Sequence, residues 1–368
     1  LALDANTDQS NNTAVGYAAL SANTGGTRLV AVGMNALVSS TTGNNNVAVG
    51  NNSLDANTTG ADNVAMGYNT LSASTTASNN TAIGHKVLED STSGAQLTGL
   101  GGFALTNNTT GDDNTALGYG TLSSNTTGSH NTSVGRHALN ANTTASNNTA
   151  IGRSALLVNT TGAENTAVGA NALDANTTGS ENVAVGDNAL SNNTTGASNT
   201  ALGRHALEDC VTGSNNTAVG GDAMIDNTGS NNTAVGRSSM RVHTSGSDCT
   251  AVGAYSLDAN TTGDNNVAVG RDALSQNTTA DDITAIGAYC ASDAGSSGTA
   301  ESVFVGAQAA RYATGANKSV CIGFRAGHRV TGGDDFTFVG YKAGGATDGA
   351  NTTGQSNTGI GAFCLEDL

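Results

Sequence analysis

Twenty-one times this chain closes a short apolar run on a glycine, and one spacing, a seventeen-residue period, separates those glycines in all but three of the intervals. The run reads Asn12-Thr13-Ala14-Val15-Gly16 at first, then Asn165-Thr166-Ala167-Val168-Gly169 and Asn232-Thr233-Ala234-Val235-Gly236. A fixed period of this length is the signature of a stacked repeat. It overrides the two or three globular domains that 368 residues would otherwise suggest. Abundant Asn, Thr and Gly with few aromatics also suit disorder, but a disordered chain holds no Leu and Val in strict register.

Each copy reads as one coil. The three residues before the glycine alternate as a strand does. Their first site holds Thr or Val and their third Val, Ile, Leu or Met; both are assigned to the interior. Four residues after the glycine runs a Leu column, from Leu20 through Leu156 to Leu274, with Met224 and Met240 in two copies. About three apolar side chains per coil are too few for stability alone, so stacking must make the core continuous. A second glycine ten residues on, as at Gly162 and Gly179, marks a second corner, and Asn-Thr-Thr before it suggests a short second strand. Asn125, Asn142, Asn159, Asn176 and Asn193 stand at equivalent places, where amides can ladder up a stack. The absence of Pro fits strands paired on both edges. The expected fold is all-β, a parallel β-solenoid (β-roll) of about 21 coils with ~17 residues per coil. At ~4.8 Å per strand it would be roughly 100 Å long.

With the flanking sites inward, the middle site faces out, yet it holds Ala14, Ala31, Ala48, Ala65, Ala82, Ala116, Ala150, Ala167 and Ala184, with only Gly99 and Ser133 as exceptions in the regular part. A free surface would tolerate charge, so this column is expected to approach another chain closely. The alternative is that inward and outward are reversed and Ala suits tight coil packing. Regular repeats fill residues 1–287. Residues 288–368 are atypical: Ala291, Ala310, Gly327 and Gly344 replace the Leu column, and extra residues enter at Gly295-Ser296-Ser297-Gly298 and from Gly344 to Gly349. Five of the six Phe lie here, at Phe304, Phe324, Phe336, Phe338 and Phe363. This end reads as a cap, a junction or a receptor-binding tip.

A net charge of −16 with 13 dispersed basic residues argues against a nucleic-acid partner. No apolar run approaches the length of a membrane span, roughly 18 residues or more, so no membrane insertion is expected. There is no leader of the signal-peptide type, and the chain begins and stops in mid-repeat, as a segment of something longer would. The five cysteines occupy four phases of the repeat without a CxxC pair, which suits neither a zinc site nor a disulfide framework.

The Asn-Thr-Ala-Val-Gly and Asn-Val-Ala-Val-Gly copies resemble the Asn-Ser-Val-Ala-Ile-Gly repeats in YadA-like heads of trimeric autotransporter adhesins, and related repeats of phage tail fibres. The resemblance implies left-handed β-rolls packed side by side as a homotrimer, presenting an adhesive surface outside the cell. It covers nearly the whole chain. The period here is longer than is typical of those heads, and the Ala-Leu plus Asn-Thr-Thr-Gly half is not their pattern.

Chemistry-bearing motifs are sparse. No Gly precedes Lys, so a P-loop is absent. Gly135-Arg136-His137-Ala138-Leu139 recurs at Gly203-Arg204-His205-Ala206-Leu207, four coils away, and the two cannot converge on one ligand. Asp112-Asp113, Asp281-Asp282 and Asp334-Asp335 sit in turns. They could hold Ca²⁺, but without the glycine-aspartate nonapeptide they read as solvated turns, and no cofactor is expected. The expectation is a non-catalytic attachment protein, the shaft or head of an adhesin or tail fibre at a cell surface or virion tail. It would pair with itself as a homotrimer and with a host-cell receptor or glycan. The alternatives are an ice-binding solenoid using the Thr ladder from Thr58 and Thr75 to Thr194, or a self-assembling filament subunit.

Overall fold

The computed structural model describes residues 1–6, 9–294, 299–345 and 355–365. The chain is a β-solenoid of about 20 turns at ~17 residues per turn, built on 21 parallel strands of three residues each. It divides into two compact units, Leu1–Asn182 and Val183–Leu368. The first carries ten strands, from Thr13–Val15 to Thr166–Val168, and the second eleven, from Val183–Val185 to Thr358–Ile360. Within each unit a strand pairs in register with its counterpart one coil on, as Ala150 does with Ala167 and Ala201 with Ala218. No helix occurs among the described residues.

One coil shows how each turn is closed. Thr149 N–H reaches forward to Asn165 O at 2.8 Å, while Gly152 N–H reaches back to Val134 O at 2.8 Å. Ser154 again points back, to Arg136 O, and Leu156 points forward, to Ala172 O, both at 3.0 Å. The backbone thus spends its donors on both neighbours. It does so by entering the left-handed region at alternate residues: Ser154 has φ 59° and Leu156 φ 52°. For Leu this costs about 1–2 kcal/mol. Full burial of the side chain, about 1.5–3 kcal/mol, and the inter-coil hydrogen bond offset it. The corner glycine is different. Gly152 has φ 140° and a β-carbon there would overlap the Gly169 carbonyl, so no other residue fits.

The Asn-Thr-Thr segment forms bends, not the second strand expected from its composition. Thr160 and Thr161 both donate to the single carbonyl of Thr177, at 3.0 and 3.3 Å, which is a pinched bend and not a ladder. The amide ladder does form. Asn142 Nδ2 donates to Asn125 Oδ1 at 2.9 Å and Asn159 to Asn142 at 3.1 Å. A second Asn column precedes most strands: Asn165 N–H donates to Asn148 Oδ1 at 2.9 Å, and Asn165 Nδ2 to Gly179 O at 2.9 Å. These amides satisfy backbone groups at corners where a narrow coil leaves no room for water.

Departures from the period leave the strand register intact. The interval from Gly220 to Gly236 is one residue short, because Asn227-Thr228-Gly229 has one Thr where Asn193-Thr194-Thr195-Gly196 has two. Thr217 still pairs with Thr233 and Val219 with Val235. In the last coils the lapse of the Leu column has a packing cause. A β-carbon on Gly344 would overlap the Phe338 ring, and one on Gly327 would lie 2.5 Å from Cys321 Sγ. Bulk has moved from the Leu site to the strand, a volume-conserving exchange of the kind cores accept.

Candidate interaction surfaces

The strand faces are the reverse of the expected assignment. Ala31, Ala48, Ala65, Ala82, Ala116, Ala150, Ala167 and Ala184 are fully buried in their own chain, and Ala14, on the first strand, is partly buried. These residues line the solenoid core and are not an interface with another chain. A three-residue strand turns only its middle side chain inward, and the narrow coil leaves space there for a methyl group. The exceptions show how tight that space is. Val87, three positions after its corner glycine, fills the core of its coil, and Gly99 answers it on the next strand. Thr121 stands at the same site two coils on, and its hydroxyl meets that of Ser133 at 2.5 Å.

What faces outward is therefore the first and third strand positions. The first is Thr in 14 strands and Val in seven; the third is Val, Ile, Leu or Met in all 21. Leu100 is 46% exposed, Ile151 40% and Leu202 47%. In a chain of net charge −16, each unit thus carries an uncharged, β-branched and aliphatic strip at coil spacing. The avoidance of charge is meaningful in these two columns, where the side chains meet solvent.

The five C-terminal Phe separate into two groups. Phe304, Phe336 and Phe338 are core residues, with Phe336 and Phe338 stacked at 5.2 Å, so none of the three is available to a receptor. Phe324 and Phe363 are exposed and flank Tyr341 at 5.5 and 5.2 Å, with Lys342 over both Tyr341 and Phe363. Gly295 to Gly298 and the inserted residues 346–349 lie outside the described residues.

The first unit holds a feature that the repeat pattern did not predict. Five successive coils place an aromatic ring one or two residues after the corner glycine: Tyr68, His85, Phe103, Tyr119 and His137. Their centroids follow one another at 5.7, 5.0, 5.6 and 5.6 Å, as one continuous array. Its C-terminal end borders a cleft of about 310 Å³ lined by Phe103, Thr106, Asn107, Tyr119, Gly120, Ser123, His137 and Asn140.

The other polar groups noticed in the sequence serve the stack. Asp112 accepts the Ala95 N–H and Asp281 the Asp264 N–H, both at 2.8 Å, and Asp334 accepts from Asn317. Among the described residues no cluster of three or more His, Cys, Asp or Glu is placed to hold a metal ion. Along the Thr ladder, Thr58 donates its hydroxyl to Thr75 O at 3.0 Å and Thr109 to Thr126 O at 2.9 Å, so these protons are committed to the next coil. His137 joins the aromatic array, whereas His205 Nδ1 meets Glu208 at 2.5 Å. Burial pushes the thiols of Cys210 and Cys249 up to about 11 and those of Cys290 and Cys321 up to about 12, which makes them inert packing groups. No protein-family model and no curated protein matches the chain.

Proposed function

We propose that this chain is a non-catalytic structural part, shaft or head, of an extracellular attachment fibre in which copies lie side by side as a homotrimer and display a repeated surface to a host-cell receptor or glycan. One observation carries the reading: the uncharged outward strip of first and third strand residues. Exposed apolar strips of this extent mark contact surfaces. A strip whose features recur at coil spacing is matched best by a surface with the same spacing, which is another copy of the chain. The resemblance to trimeric adhesin heads and tail-fibre repeats supports the same arrangement and the location outside the cell. The partner surface is then the Thr/Val and Val/Ile columns in place of the Ala column.

Light scattering over a concentration series tests this directly. A constant mass of three chains, falling to one chain in Ile151→Lys/Leu202→Lys, is the expected result. A clean monomer overturns the trimer, and a mass that climbs with concentration replaces it with end-to-end filament growth. Outward Thr-x-Val pairs on flat strands also favour a second reading, an ice-binding face. In that case the monomer would show thermal hysteresis.

A further inference from the structure

The cleft between Phe103 and Asn140 forms where a coil without a side chain at one site stands between two coils that carry rings. Two residues after the corner glycine the coils place varied side chains, among them Asn35, Asn52, Asn69, Asn171 and Asn188, these five with φ between 50° and 57°. At three successive coils the site holds Phe103, Gly120 and His137, and Gly120 alone among the coils before Gly306 has no side chain there. Gly120 keeps the left-handed backbone of that site, φ 61°, but removes its side chain, and the His137 ring leans into the space, with Nδ1 2.9 Å from where a β-carbon would stand. The result is a notch walled by rings on a chain with only 4% aromatic residues.

The polar groups at the notch are set in advance. Asn140 Nδ2 donates both its hydrogens, to Gly120 O at 2.8 Å and to Ser123 Oγ at 2.7 Å. Its Oδ1 is thereby fixed as an acceptor, and Ser123, which accepts from Asn140, keeps its own proton to donate. Thr106 gives its hydroxyl proton to Lys86 O at 3.1 Å and presents a second acceptor. Asn107 lies beside them. Neither a carboxylate nor a Lys or Arg side chain lines the cleft, although the chain carries 29 acidic residues. An anion or cation would find no counter-charge here, and a purely apolar ligand would leave the amide and hydroxyls without partners. A neutral polyhydroxylated ring satisfies both halves: its C–H face lies on an aromatic ring, and its hydroxyls alternate as donors and acceptors against Asn140, Ser123 and Thr106.

We infer that this cleft is a binding site for a neutral saccharide, one or two sugar rings in extent, with Tyr119 as the stacking platform and Asn140 and Ser123 as the hydroxyl readers. The inference deepens the attachment reading and rests on it only for its biological purpose.

The test is an array of neutral oligosaccharides, followed by titration calorimetry of the strongest binder against the intact chain and two variants. Gly120→Asn restores the residue that other coils carry at this φ, so it folds and fills the notch. Tyr119→Ala removes the platform. Wild type should bind, Tyr119→Ala should weaken binding about tenfold, which corresponds to about 1.4 kcal/mol, and Gly120→Asn should abolish it. Absence of binding across the array at millimolar sugar overturns the inference, as does equal affinity in all three proteins. Adhesion of the fibre to cells separates the two readings. Adhesion without sugar binding sinks the cleft and leaves the fibre, whereas sugar binding without adhesion keeps the cleft and sinks the fibre.

Discussion

Val87 and Gly99 are a matched pair: Cγ1 of Val87 lies 2.5 Å from where a β-carbon on Gly99 would stand. One coil back the same site is Thr70, which turns its hydroxyl to Gly84 O at 2.9 Å, and one coil on it is Ala104. The strand residues facing those two are Ala82 and Ala116. The departures at Val87 and Gly99 compensate each other across the core, and neither is explained by local preference.

Gly99→Ala should therefore overpack one coil and cost about 1–3 kcal/mol. Val87→Ala alone leaves a small void. The double variant restores the pairing seen between Ala104 and Ala116 and should recover most of the loss. Denaturant melts arranged as a double-mutant cycle measure the coupling, and additive effects would remove the pairing.

The buried amide ladder should be costly to interrupt. Replacing Asn142 by Leu deprives Asn125 Oδ1 of its donor and the Ala145 carbonyl of another. With the buried Asn125 acceptor orphaned at ~1–3 kcal/mol and the Ala145 carbonyl left to Asn131, the loss should exceed that of a less buried Asn variant such as Asn107→Leu. Hydrogen exchange localised to the coils around residue 142 should show the opening. Equal protection in the two variants would contradict the ladder's role.

His243 replaces Asn in that same column and is buried, with Nε2 2.8 Å from Gly246 O and Asn260 Nδ2 3.0 Å from Nδ1. Burial lowers its pKa below the ordinary 6.5. Below pH 6.5 the unfolded chain then binds more protons than the folded one, so stability is complete above that value and declines as pH falls through it. Melting temperature should drop between pH 7.5 and 5.5, and His243→Asn should flatten that limb. Asp55, Asp174, Asp226 and Asp258 act with the opposite sign lower down, since burial raises each above 3.8 and the folded state holds those protons more tightly. A pH slope unchanged in His243→Asn would show that the imidazole does not contribute.

Thiol labelling provides a separate check on the packing. Four of the five cysteines are buried and Cys364 is partly exposed. At pH 8 a thiol reagent should modify one cysteine quickly in the folded protein and five after denaturation. Rapid reaction of Cys290 or Cys321 would mean that the C-terminal coils are not packed as described.

Periodicity alone was enough to read the solenoid, the coil length, the buried Leu column and the stacked amides of Asn125, Asn142 and Asn159. The strand faces were misread for a physical reason. Hydropathy ranks Val above Ala, so Thr-Ala-Val reads as Val inside, whereas a three-residue strand has one inward place, and where the Leu column fills the coil that place suits a methyl group. The chain held a usable signal, because Gly99 and Ser133 depart from Ala in the coils where Val87 and Thr121 bring a branched side chain to the core. The left-handed backbone at Leu156 and its counterparts had no signal, since β-carbon sterics disfavour it and only the stack supplies compensation. The aromatic cleft was legible as five ring-bearing coils in succession, but only when residues are aligned by phase.

The shortened coil has a practical meaning. Its missing residue is taken from the Thr-Thr bend around Thr228, and the strands on either side keep their partners. The two lengthened intervals, Gly287 to Gly306 and Gly340 to Gly361, carry their additions in the sequence between the Leu-column position and the next strand. Chain length can be edited there one residue at a time, whereas elsewhere only whole repeat units keep the pattern. That bend is the natural place to graft a foreign peptide and the first place to look for variation among solenoids of this design.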